Sequence, residues 1–220
     1  KSTLIKLLAG LLVPGRGEVR WEGAPLHDLS SRERARRIAV VPQSLVAVPE
    51  VTVATFVAYG RYPYQGPFRR PVPTDRAAVS RALEEADVAD LADRPLPSLS
   101  GGQRQRALVA RALAQEARLL LVDEPTNALD PEHQLQVFEL IAGLADHGRA
   151  AVVVTHDLNL ASQFATRVVL LYEGRKVADG AVGEVLVRDV LEPVYGPHLR
   201  YASWTVPGGG ERPVVLPWRE

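Results

Sequence analysis

The sequence predicts an α/β fold with a central, mostly parallel sheet and a helical subdomain. Three observations carry the prediction. Residues 119–122 and 151–154 are unbroken apolar runs, the pattern of parallel strands covered on both faces. Residues 134–145, between them, follow an amphipathic helical pattern, so strand, helix and strand read as one crossover unit. Residues 44–97 differ in character: they hold several prolines together with Tyr59, Tyr62 and Tyr64, and read as a mainly helical insertion.

The remaining elements follow in order. Residues 4–12 suit a helix that ends near Gly10, and 14–17 a turn. Residues 18–21 form a short strand whose hairpin closes at Glu22-Gly23. Residues 32–37 are a charged helix start or loop, and 38–41 a short buried strand stopped by Pro42. A helical pattern runs around 76–91. Residues 168–172 and 175–178 flank Glu173-Gly174, a hairpin signal. Beyond about Asp189 the chain is rich in Pro and Gly and is expected to be partly irregular. The whole reads as one domain over 1–220, with an approximate helical subdomain at 44–115 and a tail at 190–220.

Composition narrows the function. Lys and Arg (26) balance Asp and Glu (26), which argues against a strongly basic nucleic-acid binder, though not against a local patch. With no cysteine there is neither a disulfide framework nor a thiolate metal site. No apolar run approaches the roughly 18 residues that span a bilayer. The absence of any methionine leads us to expect a piece whose natural start lies upstream.

The chemistry gathers in a few places. Lys1-Ser2-Thr3 before an apolar helix has the form of the second half of a phosphate-binding loop. There the lysine reaches β- and γ-phosphates, the serine hydroxyl ligates Mg2+, and the helix start faces the anion. The same tripeptide alone is also an ordinary helix start. Asp123 and Glu124 end the 119–122 run, and ligands of open α/β sheets collect at the carboxyl ends of strands. Asp123 suits a Mg2+ held through water, and Glu124 a general base that polarises the attacking water. His156 follows the other apolar run and could position that water or bond a phosphate. Gln43, after Pro42, could touch Mg2+ or water without adding charge; alone it is equally a surface residue. Ser100-Gly101-Gly102-Gln103 precedes a helix; Ser100 can cap it, and two glycines let backbone approach an anion. Arg104 and Arg106 read as structural or solvated.

Taken together these residues resemble the ATP-binding subunit of an ABC transporter, a P-loop NTPase, over nearly the whole chain. The matching pieces are the Walker A remainder at 1–3, the Q-loop Gln43, the signature at 99–103, Walker B at 119–123 with catalytic Glu124, the D-loop at 127–130 and the switch histidine His156. The resemblance implies ATP and Mg2+ as cofactors, with Ser2, Gln43 and Asp123 at the metal. It implies a head-to-tail homodimer, in which residues 100–103 and Asp130 meet nucleotide at the shared interface. Transmembrane permease subunits and a periplasmic-type solute-binding protein are the further partners it implies, with no nucleic acid and a peripheral place on the cytoplasmic face of the membrane. The family's aromatic A-loop and phosphate-loop glycines have no counterpart here. Residues 57–64, with Gly60-Arg61-Tyr62-Pro63-Tyr64, resemble the Gly-Arg-x-Pro-His stretch of iron-chelate and vitamin B12 uptake ATPases, with Tyr64 in place of the usual His. Residues 194–196 and 213–217 resemble that subfamily's ending. The tyrosines suit either packing or contact with a permease. A non-transport ABC ATPase of repair or translation, and a nucleotide-binding module without turnover, remain rival readings.

Overall fold

The structure is a computed structural model that describes residues 1–65, 70–126, 129–206 and 210–218, with backbone alone at 146–147. Two compact units emerge, Lys1–Val154 and Thr155–Glu220.

In the first unit, α1 (Ser2–Leu8) gives way to Gly10 at φ +68°, a left-handed value that glycine takes without a Cβ clash. β1 (Arg20–Trp21) and β2 (Ala24–Pro25) pair around Glu22 and Gly23, both at positive φ, so the expected hairpin is present but shorter. α2 (Ser31–Ala35) starts with a capping box: Ser30 Oγ accepts the Glu33 N–H, and the Glu33 carboxylate accepts the Ser30 N–H.

β3 (Ile38–Val41), β4 (Leu119–Asp123) and β5 (Ala150–Val154) form a parallel sheet in the order β3-β4-β5. β4 is central, and Leu120, Leu121 and Val122 are buried. β5 departs from expectation. It is the edge strand among the described residues, residues 150–152 are exposed, and Val152 retains 39% of its surface. Its apolar run therefore does not mark a strand buried on both faces: three successive residues are exposed, and only 153–154 are partly covered.

The insertion is helical, as its composition predicts. α3 (Val53–Ala58), α4 (Tyr62–Gln65), α5 (Pro73–Glu85) and α6 (Gly101–Ala114) build the main core, where Phe56, Val57, Leu83, Leu108 and Val109 pack together. The pattern over 76–91 is interrupted: α5 stops before Asp87, whose φ of +51° ends the ladder, and one 3-10 turn follows at Ala89–Leu91. A Cβ on Gly60 would overlap the Arg111 carbonyl oxygen of α6. Gly60→Ala is therefore expected to lower unfolding free energy by about 1–3 kcal/mol, read from denaturant midpoints at unchanged m-value.

α7 (Pro131–Ala142) links β4 to β5, with Asp130 as its N-cap and Pro131 at the first helical position. In the second unit, α8 (Leu158–Phe164) precedes the hairpin of β6 (Arg167–Tyr172) and β7 (Arg175–Ala181). Glu173 and Gly174 both take positive φ, as a two-residue hairpin turn requires. The chain after Asp189 is not irregular. α9 (Val182–Val185) and α10 (Arg188–Tyr195) lead into an antiparallel ribbon of β8 (Leu199–Thr205) and β9 (Glu211–Pro217). Leu170, Val185, Leu191 and Val215 give this unit its own core. Asn159 exchanges two bonds with the Val215 backbone, at 3.0 and 2.9 Å, tying α8 to β9.

Candidate functional site

The ladder between β3 and β4 decides which side chains meet. Val41 pairs with Val122, so the residues two beyond each, Gln43 and Glu124, emerge side by side. Gln43 Nε2 donates to Glu124 Oε2 at 3.0 Å. Glu124 sits at φ +45°, a conformation that costs a non-glycine residue about 1–3 kcal/mol and persists only when its surroundings fix it. One such restraint is its N–H, which donates to the Val154 carbonyl of β5 at 2.9 Å.

Asp123 closes β4 behind the fully buried Val122. Its Oδ1 is buried and, among the described residues, has no hydrogen-bond partner. A buried carboxylate oxygen left unpaired is costly, and a bound cation removes that cost. Among the described residues no group of three His, Cys, Asp or Glu could hold a metal by itself.

Lys1, Ser2 and Thr3 are exposed at the start of α1. Ile5 and Ala9 fix that helix in a cluster with Ile38 of β3 and Leu121 of β4. His156 lies in the second unit, exposed, one residue before Asp157, whose carboxylate caps α8 by accepting the Asn159 and Leu160 N–H groups at 2.9 Å.

Ser100 caps α6 with a full capping box. Its Oγ accepts the Gln103 N–H at 3.3 Å, and Gln103 Oε1 accepts the Ser100 N–H at 3.1 Å. The two glycines differ. Gly101 is exposed, and a Cβ there would only graze Leu129 at 3.8 Å. Gly102 is buried against the ring of His133. Gly101 thus offers open backbone, whereas Gly102 answers to helix packing. Asp130, exposed, accepts the His133 N–H at 3.1 Å. That backbone N–H first, and the His133 ring second, hold its carboxyl below the usual carboxylate range. Asn127 and Ala128, the first half of the expected D-loop, lie outside the described residues.

The stretch over 57–64 divides into packing and surface. Arg61 is 4% exposed and binds Asp75 at 3.0 Å, the Ala114 carbonyl at 2.8 Å and Glu116 at 2.6 Å. Tyr64 stacks beneath that guanidinium at 4.0 Å and donates its hydroxyl to the Gln115 carbonyl at 3.0 Å. Tyr59 and Tyr62 instead face outward, 52% and 64% exposed. Sequence reasoning singled out neither the Arg61 hub nor His133. For His133 a signal existed: an Asp-Pro helix start with histidine three residues after the cap is a position where cap and side chain meet.

The chain is similar to known proteins over most of its length. The family model described as ABC transporter matches residues 1–127. The chain is 40% identical over 218 residues to a ferric enterobactin transport ATP-binding protein of Escherichia coli, spanning 99% of this chain and 79% of that one. It is 46% identical over 195 residues to a hemin import ATP-binding protein of Streptomyces coelicolor, spanning 89% and 69%. A solved ATP-binding cassette, dimeric and bound to ADP and phosphate, superposes with a TM-score of 0.72 at 30% identity, over 82% of this chain and 80% of that one.

Proposed function

Because the chain belongs to the ABC transporter family of ATP-binding proteins, it is an ATPase subunit, and we propose that it powers import of an iron chelate, haem or cobalamin. The observation that carries the ATPase chemistry is the meeting of Gln43 and Glu124 at paired strand ends, beside the unpaired Oδ1 of Asp123.

In this reading Lys1 and the start of α1 bind the β- and γ-phosphates, and Thr3 lies beside them. Asp123 and Ser2, with Gln43 at the edge, would hold Mg2+, which would supply positive charge against the phosphates. Glu124 accepts a proton from the attacking water, and the Gln43 amide orients its carboxylate. His156, in the second unit, is the residue to which the family resemblance gives contact with the γ-phosphate or the attacking water. The signature residues 100–103 and Asp130 belong to the nucleotide of a second copy, so two chains pair head to tail around two ATP molecules. Catalysis of this kind rests on positioning and electrostatics more than on covalent chemistry.

Permease subunits are the partners across the membrane, with Tyr59 and Tyr62 as exposed contact candidates, and a solute-binding protein delivers cargo to the permease. No helix among the described residues is long and apolar enough to cross a membrane. The subunit is placed at the cytoplasmic face through those permeases. The names of two relatives and the 57–64 stretch support the cargo class.

Ser100→Arg tests the shared site. It sets a bulky cation at an exposed helix start, and we expect ATP-driven dimerisation to be lost while each chain still binds ATP. Dimerisation at the parent's level, followed by light scattering, would remove residue 100 from the interface. For cargo, a strain lacking this subunit is expected to lose uptake of chelated iron, haem or cobalamin; normal uptake of all of them would overturn the assignment.

A further inference from the structure

The packing of the signature helix brings in a residue that the scheme above does not use. His133 stands in the first turn of α7, three residues after the cap Asp130. A Cβ built on Gly102 would lie 2.6 Å from His133 Cδ2 and 3.1 Å from Cγ, so any residue larger than glycine would have to push the ring aside. On its other edge, Nδ1 lies 2.8 and 2.7 Å from the two Asp130 carboxylate oxygens. Further along both helices Arg106 donates to Gln136 Oε1 at 2.7 Å. Positions 102 and 106 of α6 share one face, as do 133 and 136 of α7, so the two contacts form one seam. The start of α6 is thereby fixed sideways by His133, and His133 is fixed by the acid that caps α7.

We propose that His133 is a positioning residue for the shared ATP site. Its ring is the support that sets how α6 presents residues 100–103, and its bond to Asp130 makes that support rigid. The inference rests on the composite-site reading given above. Residues 100–103 act on the partner's nucleotide, whereas a chain's own nucleotide meets residues 1–3 and Asp123. Loss of the support therefore reaches turnover and pairing without reaching first-encounter ATP affinity. A displacement of about 1 Å at such a site can cost on the order of a hundredfold in rate.

The test uses the full-length protein. His133→Ala is expected to lower kcat on the order of tenfold to a hundredfold with an unchanged Kd for ATP. In a Glu124→Gln background it should weaken ATP-driven dimerisation. His133→Asn retains a donor toward Asp130 and an atom in the place of Cδ2, and should recover most of the turnover. If His133→Ala does not fold, Gly102→Ala reads the same contact from the other helix and should show the same split between kcat and Kd. Turnover and dimerisation at parental level in His133→Ala, or in Gly102→Ala where that is the variant read, would overturn the inference alone. Failure of the Glu124→Gln parent to dimerise with ATP would overturn the composite site, and the inference with it.

Discussion

Glu124→Gln is expected to bind ATP normally and to hydrolyse it about 10²- to 10⁴-fold more slowly, the usual contribution of a positioned general base. Glutamine keeps the size of the side chain and can still meet the Gln43 amide, but it cannot accept the proton of the attacking water. The left-handed backbone at φ +45° and the bond to Val154 do not depend on the carboxylate, so the fold should be intact. Binding is read by calorimetry and turnover by phosphate release. Undiminished turnover would take Glu124 out of the base role and shift attention to His156. Asp123→Asn should differ from it: the unpaired Oδ1 becomes a neutral amide oxygen, and the loss should fall on the Mg2+ dependence.

Arg61→Ala is expected to cost about 3–5 kcal/mol of stability, the range for breaking a buried ion pair by removing one partner. The penalty lies in what remains. Asp75 is 4% exposed, and without Arg61 it is left with the Val72 N–H at 3.1 Å and the Gln65 side chain. The Ala114 carbonyl and Glu116 lose a donor as well. Lysine is a poor replacement, because one guanidinium reaches these acceptors from a planar fork that an ammonium does not reproduce. The same hub predicts an acid dependence. Burial alone would raise the Asp75 carboxyl, but the Val72 N–H and Arg61 outweigh it and hold it below the usual range. A carboxylate with a depressed folded pKa adds stability above its unfolded value of about 3.9, and that stability is lost as pH falls through the folded value. Urea midpoints of the parent should therefore drop more steeply below about pH 4 than those of Asp75→Asn. Equal slopes would show that the pair does not control acid stability.

Much of the fold was legible because its strongest signals are local. The apolar runs marked β3 and β4 almost to the residue, and Glu173-Gly174 announced its hairpin. Ser100 announced the cap of its helix, which the structure completes as a capping box with Gln103. What was not legible depends on partners distant in sequence. Nothing in residues 151–154 says that they lie at a sheet edge. The β8–β9 ribbon was masked by Pro213 and Pro217, residues that edge strands tolerate and that read as irregular chain. The stop of α5 is set at Asp87 by a positive φ that few residues advertise. Within the site, the types and order of the residues were readable, but the contact of Gln43 with Glu124 needed the register of two strands 81 positions apart. The contrast between Gly101 and Gly102 needed the ring of His133.

The central claim is that one chain carries parts of two ATP sites: Asp123 and Glu124 for its own nucleotide, residues 100–103 for its partner's. The most direct measurement is the solution mass of full-length Glu124→Gln with ATP, with ADP and without nucleotide, alongside the Ser100→Arg form of the same protein. The account predicts a dimer with ATP alone, and none once Ser100 is replaced, although both proteins bind ATP. A mass that ignores ATP, or a Ser100→Arg protein that dimerises as its parent does, would contradict it.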